Sequence, residues 1–341
     1  MAMRKVRVEN AVGMVLGHEL TKIVPGEYKG PAFRKGHIIQ PEDIEHLKNI
    51  GKEHIYLFEL GPDELHENQA AQRLAEAVAG PGIALAAPSE GRVNLKAAVN
   101  GVLTVNCAAI TAVNMTEHVA LATIHSGTLV EAGTTVAGAK IIPLVINKQL
   151  IGQIEAEACR HQPVISVRAV KHKKIGIIIT GNEVFYGRIT DKYAPVFAGK
   201  ADKYGASLLA TVYQPDDSAR IAASILDFKA QGADIVIAAG GMSVDPDDVT
   251  PDAIRSTGAE VVTYGAPVLP GAMFMLAKLA GMTIMGMPAC GMYSRTTVLD
   301  LLLPRIMADI PVTKADLAAL GHGGLCLACN ECVYPHCPFG K

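Results

Sequence analysis

Apolar and polar positions follow two different rhythms along the chain. From Ile175 onward, continuous apolar runs such as IGIIIT and DIVIAAGG alternate with stretches whose apolar residues recur every three to four positions, as at Ile221, Ile225 and Phe228. A short buried run is typical of a strand in a parallel sheet, and the wider spacing is typical of a helix. The pattern therefore predicts an α/β fold, a three-layer, doubly wound, mostly parallel sheet with helices on both faces.

Residues 83–170 follow the second rhythm, in which short β-branched runs such as GVLTVN and KIIPLVI alternate with glycine-containing turns. This predicts a β-rich region. Before it, DELHENQAAQRLAEAVA predicts a helix that connects two domains and stops at a Gly-Pro-Gly sequence. We therefore expect an α+β segment at 1–80, a β-rich middle domain at 81–172, the α/β domain at 173–312 and a cysteine-rich tail at 313–341.

Three loops of the α/β domain follow predicted strands, and ligands of open parallel sheets bind where strands end. The loops are TGNE at 180–183, GGMSVDPDDVT at 240–250 and PACG at 288–291. The glycine pair of the second loop exposes N–H groups that suit a phosphate. Its crowded carboxylates would repel that phosphate unless a divalent cation such as Mg²⁺ lay between them. The alternative is an ordinary Asp- and Gly-containing turn ahead of a helix.

Length, composition and charge limit the partners and the location that the sequence predicts for this protein. The chain has 341 residues, of which 50% are hydrophobic, so it can bury a large core. Its 31 Lys and Arg residues nearly balance 33 Asp and Glu residues, which predicts neither a nucleic-acid partner nor an acidic membrane surface. Apolar runs of signal-peptide or membrane-spanning length are missing from the sequence, and this favours a cytoplasmic location.

Four of the seven cysteines crowd the end of the chain in a C-x2-C-x2-C-x4-C pattern that is followed by Pro338. In a reducing compartment such a cluster favours a metal over disulfides. The spacing is close to that of bacterial ferredoxins, while four thiolates also suit zinc, and His336 offers a substitute ligand. A flexible tail that is reduced or disulfide-bonded is the third alternative. Gly321, Gly323 and Gly324 predict a flexible hinge before the cysteines. The predicted ligands of an iron–sulfur cluster or of zinc are Cys326, Cys329, Cys332 and Cys337.

The three loops and the segments around them also carry a family resemblance. Residues 180–208, 240–253 and 267–291 together resemble the molybdopterin-binding domain of molybdenum cofactor biosynthesis enzymes, over about residues 173–310. In that family a Thr-Gly-x-Glu loop opens the site, a Gly-Gly-x-Ser-x-Gly-x-x-Asp loop holds cofactor and metal, and a Pro-Gly loop completes it. Residues 6–60 resemble segments that flank the accessory domains of a larger member, the molybdopterin molybdenumtransferase.

The resemblance assigns cofactor-binding roles to positions that match these motifs. This sequence departs from the family at Asn182, where Asp is usual, and at Asp245 and Ala289, where glycine is usual. The positions assigned to cofactor binding, these three departures included, are Thr180, Gly181, Asn182 and Glu183 in the first loop, Asp191 ahead of the first helix, Gly240, Gly241, Met242, Ser243, Asp245, Asp248 and Thr250 in the second loop, and Pro288, Ala289 and Gly291 in the third.

The resemblance also implies a chemistry. Molybdopterin, or its adenylylated form, would be the ligand, and molybdate would react with the adenylylated form with loss of AMP. Mg²⁺ would be held by Asp247 and Asp248, with Asp248 and Glu183 as catalytic residues. Related proteins assemble, so a homo-oligomer is expected, and the cysteine tail would dock onto molybdenum enzymes or report redox state.

Two other functions stay open. The second loop is also similar to the Gly-Gly-x-Gly-x-x-x-Asp-Asp-x-Thr loop of CinA-type nucleotide pyrophosphatases, in which Asp247, Asp248 and Thr250 fit the last motif positions. The remaining alternative is a carrier or sensor of molybdenum cofactor that has no catalytic activity. Hydrolysis of nucleotide pyrophosphates, or pterin binding without turnover, would distinguish these two from the transferase.

Overall fold

A computed structural model describes residues 4–14, 16–24, 28–35, 37–57 and 61–341. The chain divides into two units whose segments alternate along the sequence. Unit 1 takes the described residues up to Ala98, together with Val105–Ile124 and Gly133–Ser166; unit 2 takes Val99–Thr104, His125–Ala132 and Val167–Lys341. The four consecutive segments expected from the sequence are a different division of the chain, and they stay a prediction.

The elements before residue 170 are mostly short strands. They are, in chain order, β1 (Arg4–Arg7), a 3-10 helix (Val8–Asn10), β2 (Leu20–Val24), β3 (Tyr28–Phe33), α1 (Asp43–Asn49), β4 (His54–Leu57), β5 (Glu64–His66), α2 (Glu67–Val78), β6 (Ile83–Leu85), β7 (Arg92–Ala97), β8 (Gly101–Val105), α3 (Cys107–Asn114), β9 (Val119–Thr123), β10 (Leu129–Val130), β11 (Thr135–Ile141), β12 (Val145–Asn147), α4 (Lys148–Arg160) and β13 (Ile165–Ala169). The largest sheet among them has the order β6-β7-β11-β9, and a three-stranded sheet has the order β10-β8-β13.

Helices of unit 1 differ from the sequence-based expectation. The predicted connector helix is α2, and it buries one face, including Leu74 and Val78, instead of bridging two domains through solvent. The region expected to be β-rich also contains α3 and α4. Both begin at an asparagine, because the side chains of Asn106 and Asn147 accept hydrogen bonds from the first backbone N–H groups of these helices.

Unit 2 follows the strand-helix alternation that the apolar runs predict. Its further elements are β14 (Lys174–Thr180), α5 (Asn182–Phe185), α6 (Tyr193–Lys203), β15 (Ser207–Gln214), α7 (Ser218–Ala230), β16 (Ile235–Ala239), α8 (Thr250–Ser256), β17 (Glu260–Tyr264), β18 (Met275–Leu279), β19 (Met282–Met287), a 3-10 helix (Ala289–Met292), α9 (Val298–Met307) and α10 (Lys314–Ala319). Among the described residues, none of the helices is both long and apolar enough to cross a lipid bilayer.

The central sheet of unit 2 has six strands in the order β15-β14-β16-β19-β18-β17. The first four strands run parallel to one another, and β18 runs antiparallel to both of its neighbours, β19 and β17. One face packs against α6 and α9 through residues such as Phe197 and Leu302. The other packs against α7 and α8 through Ile225 and Ile254. The predicted fold class, a three-layer and mostly parallel α/β sheet, is confirmed.

Two helices of unit 2 contain a proline. Thr250 is the first residue of α8 and not its N-cap, which is Val249, and Pro251 follows it in the first turn. Pro304 lies inside α9 and does not interrupt it. Thr297 and Asp300 form a capping box at the start of α9, which stabilises the helix from its first turn.

Candidate cofactor-binding site

Three parallel strands end side by side and deliver the three predicted loops to one edge of the sheet. Ile179 of β14 pairs with Ala239 of β16, and Ala239 pairs with Met287 of β19. The chain leaves these strands at Thr180, Gly240 and Pro288. Because the strands are parallel and in this register, the TGNE, GGMSVDPDDVT and PACG loops start as neighbours.

The first two loops are joined by buried hydroxyl groups. Thr180 Oγ1 donates to the carbonyl oxygen of Ala239 at 3.3 Å and lies 3.1 Å from Thr250 Oγ1. Both threonine side chains are buried, and the Thr250 N–H donates to the Gly241 carbonyl at 3.2 Å. The end of β14, the glycine pair and the start of α8 therefore form one connected unit, here called the threonine junction.

Glycine is required at the threonine junction for two reasons. Gly240 has φ of 104° and Gly241 has φ of 56°, values that side-chain-bearing residues seldom adopt. A Cβ at Gly240 would overlap the Thr180 carbonyl oxygen, and one at Gly241 would lie 3.0 Å from Thr250 Oγ1. The backbone therefore passes this point only as glycine, which leaves its amides without side-chain cover.

The acidic part of the second loop, residues 243–248, is closed by its own atoms. The Ser243 N–H donates to Asp248 Oδ2 at 2.8 Å, and the Asp248 N–H donates to the Asp245 carbonyl at 2.9 Å. The Tyr264 hydroxyl donates to the carbonyl of Met242, whose side chain is buried. Asp245 and Asp247 are exposed to solvent. Of the three predicted carboxylates, Asp248 is thus the one that shapes the loop.

A fourth carboxylate, Asp216, belongs to this site although the sequence did not single it out. It follows β15, its Oδ2 accepts from the Asn182 N–H at 2.9 Å, and its own N–H donates to Asn182 Oδ1 at 3.4 Å. Burial raises the pKa of Asp216, and the negative charges of Glu183, Asp248 and Asp247 add to that effect. The only signal in the sequence was its place at a strand end, in the segment QPDDSAR.

Two further predicted residues, Glu183 and Asp191, follow β14. Glu183 is exposed in α5, next to Gly181, which has φ of 140°. Asp191 starts α6, because its carboxylate accepts from the N–H groups of Tyr193 at 2.7 Å and Ala194 at 3.1 Å. Asp191 therefore has a structural task, because it satisfies two backbone N–H groups at the start of α6, one residue before the N-cap Lys192.

The third loop is adjacent to the other two but does not repeat their contacts. The Gly240 N–H donates to the carbonyl of Met287, the last residue of β19, at 3.4 Å. Pro288 precedes the 3-10 helix that contains Ala289, and Gly291 is buried against Phe197 of α6. The structure therefore brings Thr180, Asn182, Asp216, the glycine pair and Thr250 together most closely, with the third loop beside them.

Neither predicted metal site is assembled for a single ion. In the parts of the chain that the structure describes, no group of three or more His, Cys, Asp or Glu side chains is placed to hold a metal. Mg²⁺ needs fewer protein ligands, since it retains water and takes one or two carboxylates. The oxygen atoms of Asp247, Asp248 and Asp216 are donors of the kind that Mg²⁺ prefers, so the residues present fit that ion chemically.

The cysteine tail is packed against unit 2 and is not a free arm. Leu269 N–H donates to the carbonyl of Gly324, and Cys326 N–H donates back to Leu269, both at 2.8 Å. The glycines expected to form a hinge are instead sites of close packing, since a Cβ at Gly324 would overlap the carbonyl oxygens of Leu320 and Pro267. The described structure thus shows packed glycines before the tail, and the flexible hinge stays a prediction.

The tail thiols face a cavity of about 670 Å³ that all four predicted cysteine ligands line. None of the seven cysteines forms a disulfide. Cys332 Sγ lies 3.2 Å from Thr296 Oγ1, and this hydrogen bond lowers the pKa of the Cys332 thiol, with smaller effects from the Tyr334 backbone and the charge of Arg295.

Comparison with known proteins agrees with the motifs. Residues 176–308 match the family described as "Probable molybdopterin binding domain", and residues 5–59 match a domain of unknown function, DUF8806. The CinA-like protein of Mycobacterium tuberculosis is 33% identical over 90 residues, which are 26% of this chain and 21% of that protein. The CinA-like protein of Mycolicibacterium vanbaalenii is 33% identical over 94 residues, 27% of this chain and 22% of that protein. The chain thus spans about a fifth of the length of these curated relatives.

Solved structures with similar chains include CinA from Thermoplasma acidophilum, with a TM-score of 0.35, 15% identity, and coverage of 40% of this chain and 98% of that one. The molybdopterin biosynthesis enzyme MoaB from Thermus thermophilus has a TM-score of 0.34, 19% identity, and coverage of 39% and 91%. The family match spans β14 to α9 and includes all three loops. The match to the family described as "Probable molybdopterin binding domain" thus lies entirely within unit 2.

Proposed function

We propose that the sheet edge of unit 2 binds molybdopterin and, with Mg²⁺, inserts molybdate into the adenylylated form with release of AMP. The observation that carries the proposal is the threonine junction, where glycine amides without side-chain cover lie beside a set of carboxylates. The amide of Gly241 suits a phosphate group, while that of Gly240 is already bonded to the Met287 carbonyl, and the nearby Asp216, Asp247 and Asp248 suit the cation that a bound phosphate needs.

Each residue has a separate task in this proposal. Asp247 and Asp248 hold the cation, and because Asp248 Oδ2 accepts from Ser243 N–H, we assign the Oδ1 atom of Asp248 to it. Bound Mg²⁺ supplies positive charge that offsets the phosphoanhydride charge. Glu183, exposed beside Gly181, orients a water molecule or a molybdate oxygen.

Asp216 positions the first loop through its paired hydrogen bonds with Asn182. Burial and the surrounding carboxylates raise the pKa of Asp216, so its protonation depends on the charge of the site. A cation bound among these groups would favour the ionised form of Asp216, so we expect metal binding to release protons when the pH lies near its pKa.

A nucleotide pyrophosphatase of the CinA type is the second candidate, favoured by a specific observation. The curated relatives at 33% identity are CinA-like proteins, although the match spans only about a fifth of their length. The same carboxylates and glycine amides would then act on a nucleotide pyrophosphate, with water as the attacking group. A carrier or sensor would use the same binding site without turnover.

Calorimetric titration tests the binding site that these functions share. We expect molybdopterin to bind wild-type protein more tightly with Mg²⁺ than without it, and Asp248→Asn to lose at least about tenfold in affinity, the range typical of ligand-shell changes. Asp252→Asn is the matched control, since Asp252 is an exposed residue of α8 and pairs with Arg255. Pterin binding that is equal in all three proteins would overturn the site assignment.

Product analysis then identifies the reaction. The transferase releases AMP only when molybdate and adenylylated molybdopterin are both present. The pyrophosphatase hydrolyses simple nucleotide pyrophosphates without molybdate, and the carrier does neither while still binding pterin.

The proposal also covers the cysteine tail, the oligomeric state and the cellular location of the protein. The cysteine tail is assigned the binding of a metal centre, of iron–sulfur or zinc type, and through it docking onto molybdenum enzymes or reporting of redox state. A homo-oligomer and a reducing, cytoplasmic location complete it, and seven unpaired thiols are compatible with that location. Size measurement in solution and fractionation of cells test these two points.

A further inference from the structure

We propose that the four tail cysteines hold a 4Fe–4S cluster in the cavity beside residues 293–296. The four tail cysteine residues line this single cavity of about 670 Å³. Other residues of the lining are Tyr293, Arg295 and Thr296, which directly follow the third loop of the candidate cofactor site. The inference concerns the kind of metal centre and does not depend on which reaction the sheet edge performs.

The tail backbone is fixed well enough to shape such a cavity. Leu269 binds the strand-like segment at Gly324 and Cys326 through two backbone hydrogen bonds of 2.8 Å. Farther along, Tyr334 OH donates to the Asp300 carbonyl at 3.2 Å, and Phe339 is buried in the core of unit 2. The cysteines therefore lie on a loop that is anchored before, between and after them.

The arrangement favours a polynuclear cluster over a zinc ion. Zinc draws four thiolates around one point, at about 2.3 Å each. All four cysteine residues line the same cavity, and their C-x2-C-x2-C-x4-C spacing with a proline after the last cysteine is close to that of bacterial ferredoxins. In a 4Fe–4S cluster each thiolate binds a different iron at a different corner, so the sulfur atoms stay apart.

The charges around the cavity suit a cluster of negative overall charge. Of the described residues that line it, Arg295 carries a positive charge and none is acidic. Thr296 Oγ1 lies 3.2 Å from Cys332 Sγ, in reach to donate a hydrogen bond to a ligating sulfur. Hydrogen bonds to sulfur and nearby charge are the means by which proteins adjust the potential of such clusters.

Assembly of the cluster can be written as a balanced step. Two Fe²⁺, two Fe³⁺ and four sulfide ions form the core, and the four thiols lose their protons as they bind one iron each. Iron and sulfide must be supplied from outside, and no oxidant is needed when both iron states are present. The product has four thiolate–iron bonds.

Anaerobic reconstitution tests this inference directly. Full-length protein is incubated with ferrous and ferric iron and sulfide, desalted, and assayed for iron, acid-labile sulfide and visible absorbance. We expect about four iron and four sulfide per chain, with loss of at least half of both in Cys329→Ser and in Cys332→Ser. Cys107→Ser and Cys159→Ser are matched controls, because both are exposed thiols of unit 1, and they should retain the full content.

The competing outcomes are clear. A colourless protein that binds one Zn²⁺ per chain and no sulfide would overturn the inference, as would a full cluster in both tail variants. Circular dichroism and thermal unfolding show whether a variant is folded, and Thr296→Val gives a second readout. Loss of that hydrogen bond should shift the reduction potential of the bound cluster while iron content is unchanged. Molybdopterin titration of Cys329→Ser keeps a failure here separate from a failure of the proposed function.

Discussion

The acidic loop, residues 240–250, and the cysteine tail, residues 325–341, are both dense in metal-binding side chains but are held in opposite ways. The acidic loop uses its own carboxylate, since Asp248 binds Ser243, and it rests on the buried threonine junction. The tail is held through its backbone at Leu269, and its thiols face a shared cavity. Crowding of similar side chains in a sequence therefore does not reveal which of them the fold itself uses.

The largest expected effect tests the glycine pair under the acidic loop. Gly240→Ala should lower the free energy of unfolding by about 4 kcal/mol, because positive φ is strained and the new Cβ overlaps Thr180. Gly281→Ala is the matched control, with φ of 86° but open space around the added carbon, and should cost about 1 kcal/mol. Urea unfolding measures both; equal losses would mean that the close approach to Thr180 is unimportant.

The next effect concerns the buried ion pair between Lys200 and Asp300. Lys200 Nζ lies 2.5 Å from Asp300 Oδ1, with side chains only 12% and 5% exposed, and it also donates to the Arg295 carbonyl at 3.2 Å. Lys200→Met should cost about 3 kcal/mol, because it leaves a buried carboxylate without its partner. Arg160→Met breaks the exposed pair with Glu157 and should cost less than about 1 kcal/mol. Chemical unfolding that gives the same loss for both would contradict this reasoning.

A smaller effect is expected at the threonine junction. Thr180→Val keeps the shape of the side chain but removes the hydroxyl that lies between Ala239 and Thr250, so the buried Thr250 hydroxyl loses a partner. We expect a loss of about 1–2 kcal/mol. Thr111→Val, on the exposed side of α3, should change stability by less than about 0.5 kcal/mol, since water replaces its bond to Cys107. A Thr180→Val protein as stable as wild type would show that the hydroxyl does not join the loops.

The smallest effect is a pH dependence from Asp216. Burial raises its pKa, so the folded protein retains a proton that the unfolded chain has already lost, and stability falls as pH rises through that window. Asp216→Asn removes this destabilisation and can still accept from Asn182 N–H. We expect its melting temperature to exceed that of wild type slightly at pH 7 and to equal it at pH 3. A difference that is the same at both pH values would contradict the assigned cause.

The sheet and its three loops could be predicted from the sequence because buried parallel strands leave a direct signal. The strands IGIIIT and DIVIAAGG are apolar on both faces, and the structure buries them on both faces. Asp216 could not be found in this way, because Asp before a helix resembles an ordinary cap and only the register of β15 beside β14 brings it to Asn182. The docking of the tail depends on backbone hydrogen bonds to Leu269, which lies about 55 residues before the tail in the sequence. The docking could not be predicted, because no apolar or motif pattern marks Leu269 as the partner of the tail.

The alternation of segments between the two units has a consequence for synthesis on the ribosome. Residues 99–104 and 125–132 emerge well before the strands at 174–287, yet they belong to the same unit as that sheet. They must remain without their final neighbours until most of the chain has been made, whereas domains generally fold as units during synthesis. A fragment that begins at residue 173 would therefore lack these two segments, and cutting the chain at a single peptide bond cannot release the domain whole.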